Sequence, residues 1–321
     1  MPLTARLVGR LPKAPRYPSA VALPNGKIGV VAHGSYYLVG LNPVPGTVRP
    51  IKLADLDRDS ASLGHDKADN SVVLYGGRGH GMGEGDGTLA DCARIHADTG
   101  AAMPEPTFTL PINLAECGVV EEGGLDLIVG GFDSNEVPRR FVCTRRSGAI
   151  IVNRHQLAVG CAGNAVRIND RVYVGFDSFL PDVGPLGMPF LERATAGGLS
   201  SGAEQFAEID QPGWLRVVVG QEEGNDGFWR LGAGAGSGNS KLWLVETGGH
   251  VTTLGDVEVS ADDVLYAGGG IIPFAISGCP LIDRTHDDGH LYAIAPTITV
   301  FFDTGGQNAW PTDGVFAIKV V

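Results

Sequence analysis

Apolar residues along this chain gather in short β-rich runs that end in glycine. They do not recur at helical spacing. Such runs stand at Lys27–Gly34 (KIGVVAHG), Ser71–Gly77 (SVVLYGG) and Leu125–Gly131 (LDLIVGG), then at Arg171–Phe176 (RVYVGF), Gly227–Gly232 (GFWRLG) and Thr297–Gly306 (TITVFFDTGG). Short continuous runs bounded by turn residues predict many short strands joined by turns. Their starts lie 44, 54, 46, 56 and 70 residues apart, a period near that of a four-stranded repeat. Most are preceded by a partner run across a tight turn, as in SAVALPNGKIGVV, where Asn25-Gly26 tolerates the positive φ of a two-residue hairpin. Gly123-Gly124, Asn169-Asp170 and Asn225-Asp226-Gly227 serve the same purpose further along. A third run follows each copy: SYYLVG, DCARIHADTG, RRFVCTRRSG, FLERATAGG, KLWLVETGG and GVFAIKVV.

The segments RLPKAPRYPSAVALPNGKIGVVAHG and SVVLYGG…LADCARIHADTG resemble kelch repeats, with paired glycines after the second strand and a turn after the third. The pairs are clean at Gly76-Gly77, Gly130-Gly131 and Gly305-Gly306, and blades one, four and five depart from them. There is no Asp-box and no recurring Trp-Asp motif. The resemblance implies an all-β, six-bladed kelch-like β-propeller spanning residues 1–321. Because the chain ends in a third strand, the N-terminal run Ala5–Leu11 is expected to supply the outer strand of the last blade and leave no open edge. Residues 261–290 contain a further strand-like VLYAGGG. They are expected to form an insertion, since a seventh blade built there would lack its third strand.

Composition narrows the functional classes. Glycine contributes 48 of 321 residues, about twice the usual share of roughly 7 %, which disfavours a helical bundle. Hydrophobic residues at 43 % disfavour disorder. A formal net charge of −12 without a basic run excludes binding to nucleic acid by counterion release. No apolar stretch is long enough to insert in a membrane, and the N-terminus lacks the apolar core of a secretion signal, so a cytoplasmic or virion location is expected. The five cysteines are scattered without a CxxC pair and read as buried free thiols.

Candidate chemistry is sparse. Asp55, Asp57 and Asp59 alternate in DLDRDS, the beginning of a calcium loop. No glycine stands at the sixth position and no acid at the twelfth, so the expected reading is a solvated acidic turn with no cofactor. The loop Gly77–Gly87 carries His80, Glu84 and Asp86, but lacks the Lys and following helix of a phosphate loop. In DRTHDDGH, His286 and His290 stand four apart beside Asp287, with Gly289 favouring a turn over the helix a zinc pair needs. No nucleophile elbow or SxxK motif is present, and no copper-oxidase set of Tyr, Cys and His can be picked out.

In a four-stranded blade, the loop between strands two and three emerges on the same face as the link to the next blade. That rule assigns Leu53–Ser60, Gly77–Asp91, Gly131–Pro138, Asp177–Pro189 and Asp283–Asp288 to one side, with thirteen acids against three arginines. His80, Glu84, Asp86, Asp133, Glu136, Asp177, Asp182 and Asp287 are therefore the expected partner-binding residues. The expected function is a non-enzymatic binding or structural protein that meets a macromolecular partner, such as a phage virion tail or head accessory component. A carbohydrate-active propeller enzyme (epimerase or hydrolase) or a glycan-binding lectin is the alternative.

Overall fold

The computed structural model describes residues 2–15, 18–41, 48–79, 87–104, 108–121, 126–146, 149–152, 156–157, 165–168, 171–174, 187–193, 199–205, 218–221, 227–233, 240–246, 250–259, 274–277, 279–301 and 307–320. Most of the described backbone is β-strand, and Thr285–Asp288 is its one helix. The chain opens with β1 (Leu3–Arg10) and then lays down sheets in sequence order. The first contains β2 (Ser19–Ala22), β3 (Ile28–Ala32), β4 (Ser35–Leu41) and β5 (Val48–Asp55), paired in that order. In the second, β8 (Ser71–Gly79) pairs with β6 (Arg58–Asp59) and β7 (Ser62–Asp66) on one side and β9 (Thr88–His96) on the other.

Four-stranded meanders follow: β10 (Gly118–Glu121), β11 (Asp126–Val129), β12 (Val142–Arg146) and β13 (Ala149–Val152); then β14 (Ala165–Ile168), β15 (Arg171–Val174), β16 (Gly187–Arg193) and β17 (Leu199–Gln205). The fifth unit holds β18 (Val218–Gln221), β19 (Gly227–Ala233), β20 (Ser240–Glu246) and β21 (Val251–Val259).

The C-terminal part contains β22 (Phe274–Ser277), β23 (Leu281–Arg284), the one-turn helix α1 (Thr285–Asp288), β24 (His290–Ile294), β25 (Thr297–Phe301), β26 (Gln307–Pro311) and β27 (Gly314–Lys319). Here the sequence pattern misleads. The run TITVFF was expected to be the second strand of the last unit, yet β25 pairs with β22 and β26 in a separate three-stranded sheet. The second strand is β24, HLYAI, which lies between β23 and β27. Of the segment expected to be an insertion, 261–273 falls outside the described residues, and Leu281–Arg284 and His290 belong to the sheet itself. Both runs have strong strand propensity. What distinguishes β24 is its place between β23 and β27, where Leu291, Tyr292, Ala293 and Ile294 are buried.

Strand β1 pairs antiparallel with β27, matching Ala5 with Ile318 and Leu7 with Phe316. Its first residues also pair in parallel with β21, matching Leu3 with Val257 and Ala5 with Val259. The fifth and last units thereby share one eight-stranded sheet. The first strands of successive units, β2, β7, β10, β14, β18 and β23, each touch the next, and β23 touches β2.

Apolar packing lies in the seams between sheets. Val31, Tyr36, Val72, Leu74 and Ile95 fill the seam between the first and second, and Tyr75, Cys92, Cys117, Ile128 and Cys143 that between the second and third. A second strand sandwiched in this way is buried on both faces. That is why β3 and β11 are buried at every position and read as continuous apolar runs.

Candidate functional site

The paired glycines turn the chain sharply at the end of the second strands. Gly76 and Gly77 have φ of 56° and 108°, and Gly130 and Gly131 of 64° and 102°. A Cβ on Gly76 would run into the Leu114 carbonyl, and one on Gly77 would come within 2.7 Å of the Asp59 carbonyl. His33 (φ 50°) and Ala295 (φ 47°) occupy the corresponding places after β3 and β24. The left-handed bend is therefore kept even where glycine is not used, at a local cost.

These bends gather charged side chains at one end of the sheets. Arg78, immediately after the glycine pair, is buried and donates from Nη2 to Glu136 Oε2 at 3.0 Å and to Glu116 Oε1 at 3.4 Å. Its Nη1 also donates to Glu136. Asp133 accepts from the backbone N–H groups of Asn135 (2.9 Å) and Val137 (3.0 Å), and from Arg139. Burial alone would raise the Asp133 pKa, but these donors hold it below the usual carboxylate range. Arg58 donates to the carbonyls of Gly76 (3.3 Å) and Asp91 (3.1 Å), and to Asp91 Oδ2 at 2.5 Å.

Among the described residues, Asp133 and Glu136 of the expected acidic face are committed to internal bonds. Asp133 and Glu136 come together with Arg139 and Arg78 as loop clamps. The carboxylates of Asp55, Asp57 and Asp59 do not converge: Asp55 meets Lys52 and the Ser35 hydroxyl, Asp57 meets Arg58, and Asp59 accepts the Gly34 N–H at 2.6 Å. Among the described residues, no group of three or more His, Cys, Asp or Glu side chains is arranged to hold a metal ion. His80, Glu84, Asp86, Asp177 and Asp182 lie outside the described residues.

The placement of Asp283–Asp288 on that same face is a correction. These residues join β23 to β24, the first and second strands of their unit, so they emerge at the opposite end, beside the β2–β3 turn. There Arg284 is buried and donates from Nη2 to the carbonyls of Leu23 (2.6 Å) and Lys27 (2.9 Å), while its Nη1 pairs with Asp287 at 3.1 Å. Asp287 accordingly serves the join between the last and first sheets. The reason is strand identity: with β24 as the second strand and β27 still the third, the segment before β24 becomes the turn of the first hairpin.

Two further polar groups were not legible in the sequence. In the seam between the second and third sheets, buried Asp126 accepts from the Tyr75 hydroxyl and from Arg145 Nε at 3.0 Å. Arg145 reaches on to Asp66 at 3.3 Å. At the hairpin end, a cleft of about 180 Å³ opens between the β2–β3 and β7–β8 turns, lined by Leu23, Pro24, Asn25, His65, Lys67, Asn70 and Asp98. His65 Nε2 lies 3.2 Å from Asn70 Oδ1, Asn70 Nδ2 donates to Asp98 Oδ2 at 2.7 Å, and Lys27 Nζ donates to Asp98 Oδ1 at 2.8 Å. The only sequence signal at this place is the pair of turn asparagines, and neither forms a motif.

No helix among the described residues is long and apolar enough to cross a membrane. No protein-family model matches the chain, and no curated protein matches it. Among solved structures it is similar to YjhT, with a TM-score of 0.65 and 12 % identity over 96 % of each chain. The shared feature is the overall β-rich fold along nearly the full length of both chains.

Proposed function

We propose that the chain is a six-bladed, propeller-type ring whose last blade is completed by β1, and that it acts as a non-enzymatic binding scaffold for another macromolecule. The cyclic contacts of β2, β7, β10, β14, β18 and β23 support the ring, as does the pairing of β1 with β27. The observation that carries the binding role is the contrast between frame and loops. The connection from β3 to β4 is the two-residue turn His33-Gly34, whereas β8 and β9 are joined by residues 80–87 and β15 and β16 by residues 175–186. Unequal loops on a repeated, internally bonded frame are the usual place for recognition. The side chains that brace this end, Arg58, Arg78 and Asp133, are already engaged, so the partner's contacts fall to the longer loops.

The test is isolation of the native protein at low and moderate salt. A stoichiometric macromolecular companion is expected, released when 80–86 and 175–186 are replaced by short Gly-Ser turns. Recovery of the native protein alone under all conditions would overturn the scaffold reading.

A further inference from the structure

We infer that the cleft between the β2–β3 and β7–β8 turns is a binding site for a neutral polyhydroxylated ligand the size of one sugar ring. The site lies at the opposite end of the sheets from the loops of the scaffold reading and does not depend on it.

Size is the first constraint. The volume of about 180 Å³ falls below the roughly 300–1,000 Å³ of sites that enclose drug-sized molecules. The walls differ in character: exposed Pro24 offers apolar surface, and His65, Asn70 and Asp98 offer a continuous hydrogen-bonded edge. A pyranose has that division too, with a C–H face and a hydroxyl rim.

Charge is the second constraint. Asp98 is ionised and held below the usual carboxylate range, chiefly by Lys27 and, against some burial, by Asn70. Lys27 already neutralises this carboxylate, so the edge offers hydrogen-bonding groups and not an unmatched charge. Neutral hydroxyls suit such an edge. They can both donate to Asp98 and accept from amide N–H groups.

The third constraint is order. Asn25 (φ 59°) and Asn70 (φ 53°) both sit in the left-handed region at fixed turns. The Asn70 carbonyl also accepts the Ala97 N–H at 2.9 Å. With His65 Nε2–H donating to Asn70 Oδ1, the Asn70 amide is oriented so that one N–H goes to Asp98 and the other is left for a ligand. His65 Nδ1 is then an acceptor. A carboxamide placed in advance in this way reduces the ordering cost of binding.

The experiment is ligand-observed NMR on the full chain with D-glucose, D-galactose and D-mannose, with their methyl glycosides, and with glucuronate and glucosamine as charged controls. At least one neutral hexose should bind, shift the His65 imidazole resonances, and bind about tenfold or more tightly than the charged analogues. Binding of the hexose and its glycoside alike would indicate the end of a glycan; binding of the hexose alone would indicate a free sugar. Both results support the site. Asn70→Gly keeps the backbone conformation and removes the amide, so it should weaken binding about tenfold, equivalent to about 1.4 kcal/mol. The proposal is overturned if no neutral hexose binds, if the charged analogues bind as well or better, or if the His65 resonances stay fixed while the ligand binds. The His65 readout uses the unaltered protein and stands even if Asn70→Gly does not fold.

Discussion

Two seams of this molecule are held in different ways. Between the second and third sheets, the lock is a set of side chains: Tyr75 and Arg145 converge on buried Asp126, and Arg145 continues to Asp66. Between the last and first sheets, the polar bonds run to backbone. Arg284 grips two carbonyls of the β2–β3 turn, and β1, a whole strand paired with β27 in the last sheet, leads the chain directly into the first. A side-chain lock can be weakened one bond at a time, whereas a strand is gained or lost as a unit. Burial raises the pKa of the Tyr75 phenol well above its ordinary value, with the Asp126 carboxylate adding to this, so the phenol remains a donor at any physiological pH.

The largest effect is expected from removing residues 1–12. This strips β1 from both β27 and β21 and leaves two bare strand edges. The loss should consume most of a domain's margin, on the order of 5 kcal/mol or more, and the protein should aggregate. A truncated chain that stays monomeric with an unchanged melting temperature would show that the seam does not need its strand.

Asp126→Ala should come next. It leaves the Arg145 charge and the Tyr75 hydroxyl buried without their shared acceptor, and breaking a buried pair costs roughly 3–5 kcal/mol. Tyr75→Phe removes one donor only and should cost about 1–2 kcal/mol. Denaturant midpoints of the two variants separate the ionic part of the lock from the neutral part. Equal losses would contradict that division.

Arg284→Met tests the other seam without touching β1. Two carbonyl bonds disappear while the aliphatic stem is retained, and a loss of about 1–3 kcal/mol is expected. If the change matches the β1 deletion in size, the arginine and not the strand governs the join.

The smallest effect is expected from Asp133→Asn, away from both seams, and it depends on pH. The folded pKa of Asp133 is depressed. Its contribution is therefore present above the unfolded carboxylate value of about 3.9, and is lost as pH falls through the lower, folded value. Near neutral pH the variant should be less stable than the parent by about 1 kcal/mol. The two should converge in strong acid. Parallel melting curves from pH 7 down to pH 2 would refute the assignment.

Much of the strand content was legible from the sequence because it depends on local chemistry. Runs such as IGVVA and SVVLY cannot be exposed on either face, and Asn25-Gly26 and Gly76-Gly77 supply positive φ where a chain must reverse. The third strands β4, β9, β12, β16, β20 and β27 were legible for the same reason. The candidate site was not, because its residues are ordinary when read one at a time. Arg78 and Glu136 stand 58 positions apart and meet only when two sheets pack. His65 comes from β7, and Asn70, Asp98 and Lys27 come from three separate turns.

Sequence by itself determined that this chain makes short buried strands, where many of them bend, and that it carries an excess of acid. Tertiary structure decided which strand sits beside which. TITVFF and HLYAI are equally able to be strands, but only HLYAI found the edge of β27. Tertiary structure also decided what some of the acids do, since Glu136 and Asp91 face arginines (Arg78 and Arg58) brought to them by packing. The physical reason is range: backbone propensity and turn strain are set within a few residues, whereas strand partners and ion pairs depend on which edges and charges remain available once the rest of the chain has folded.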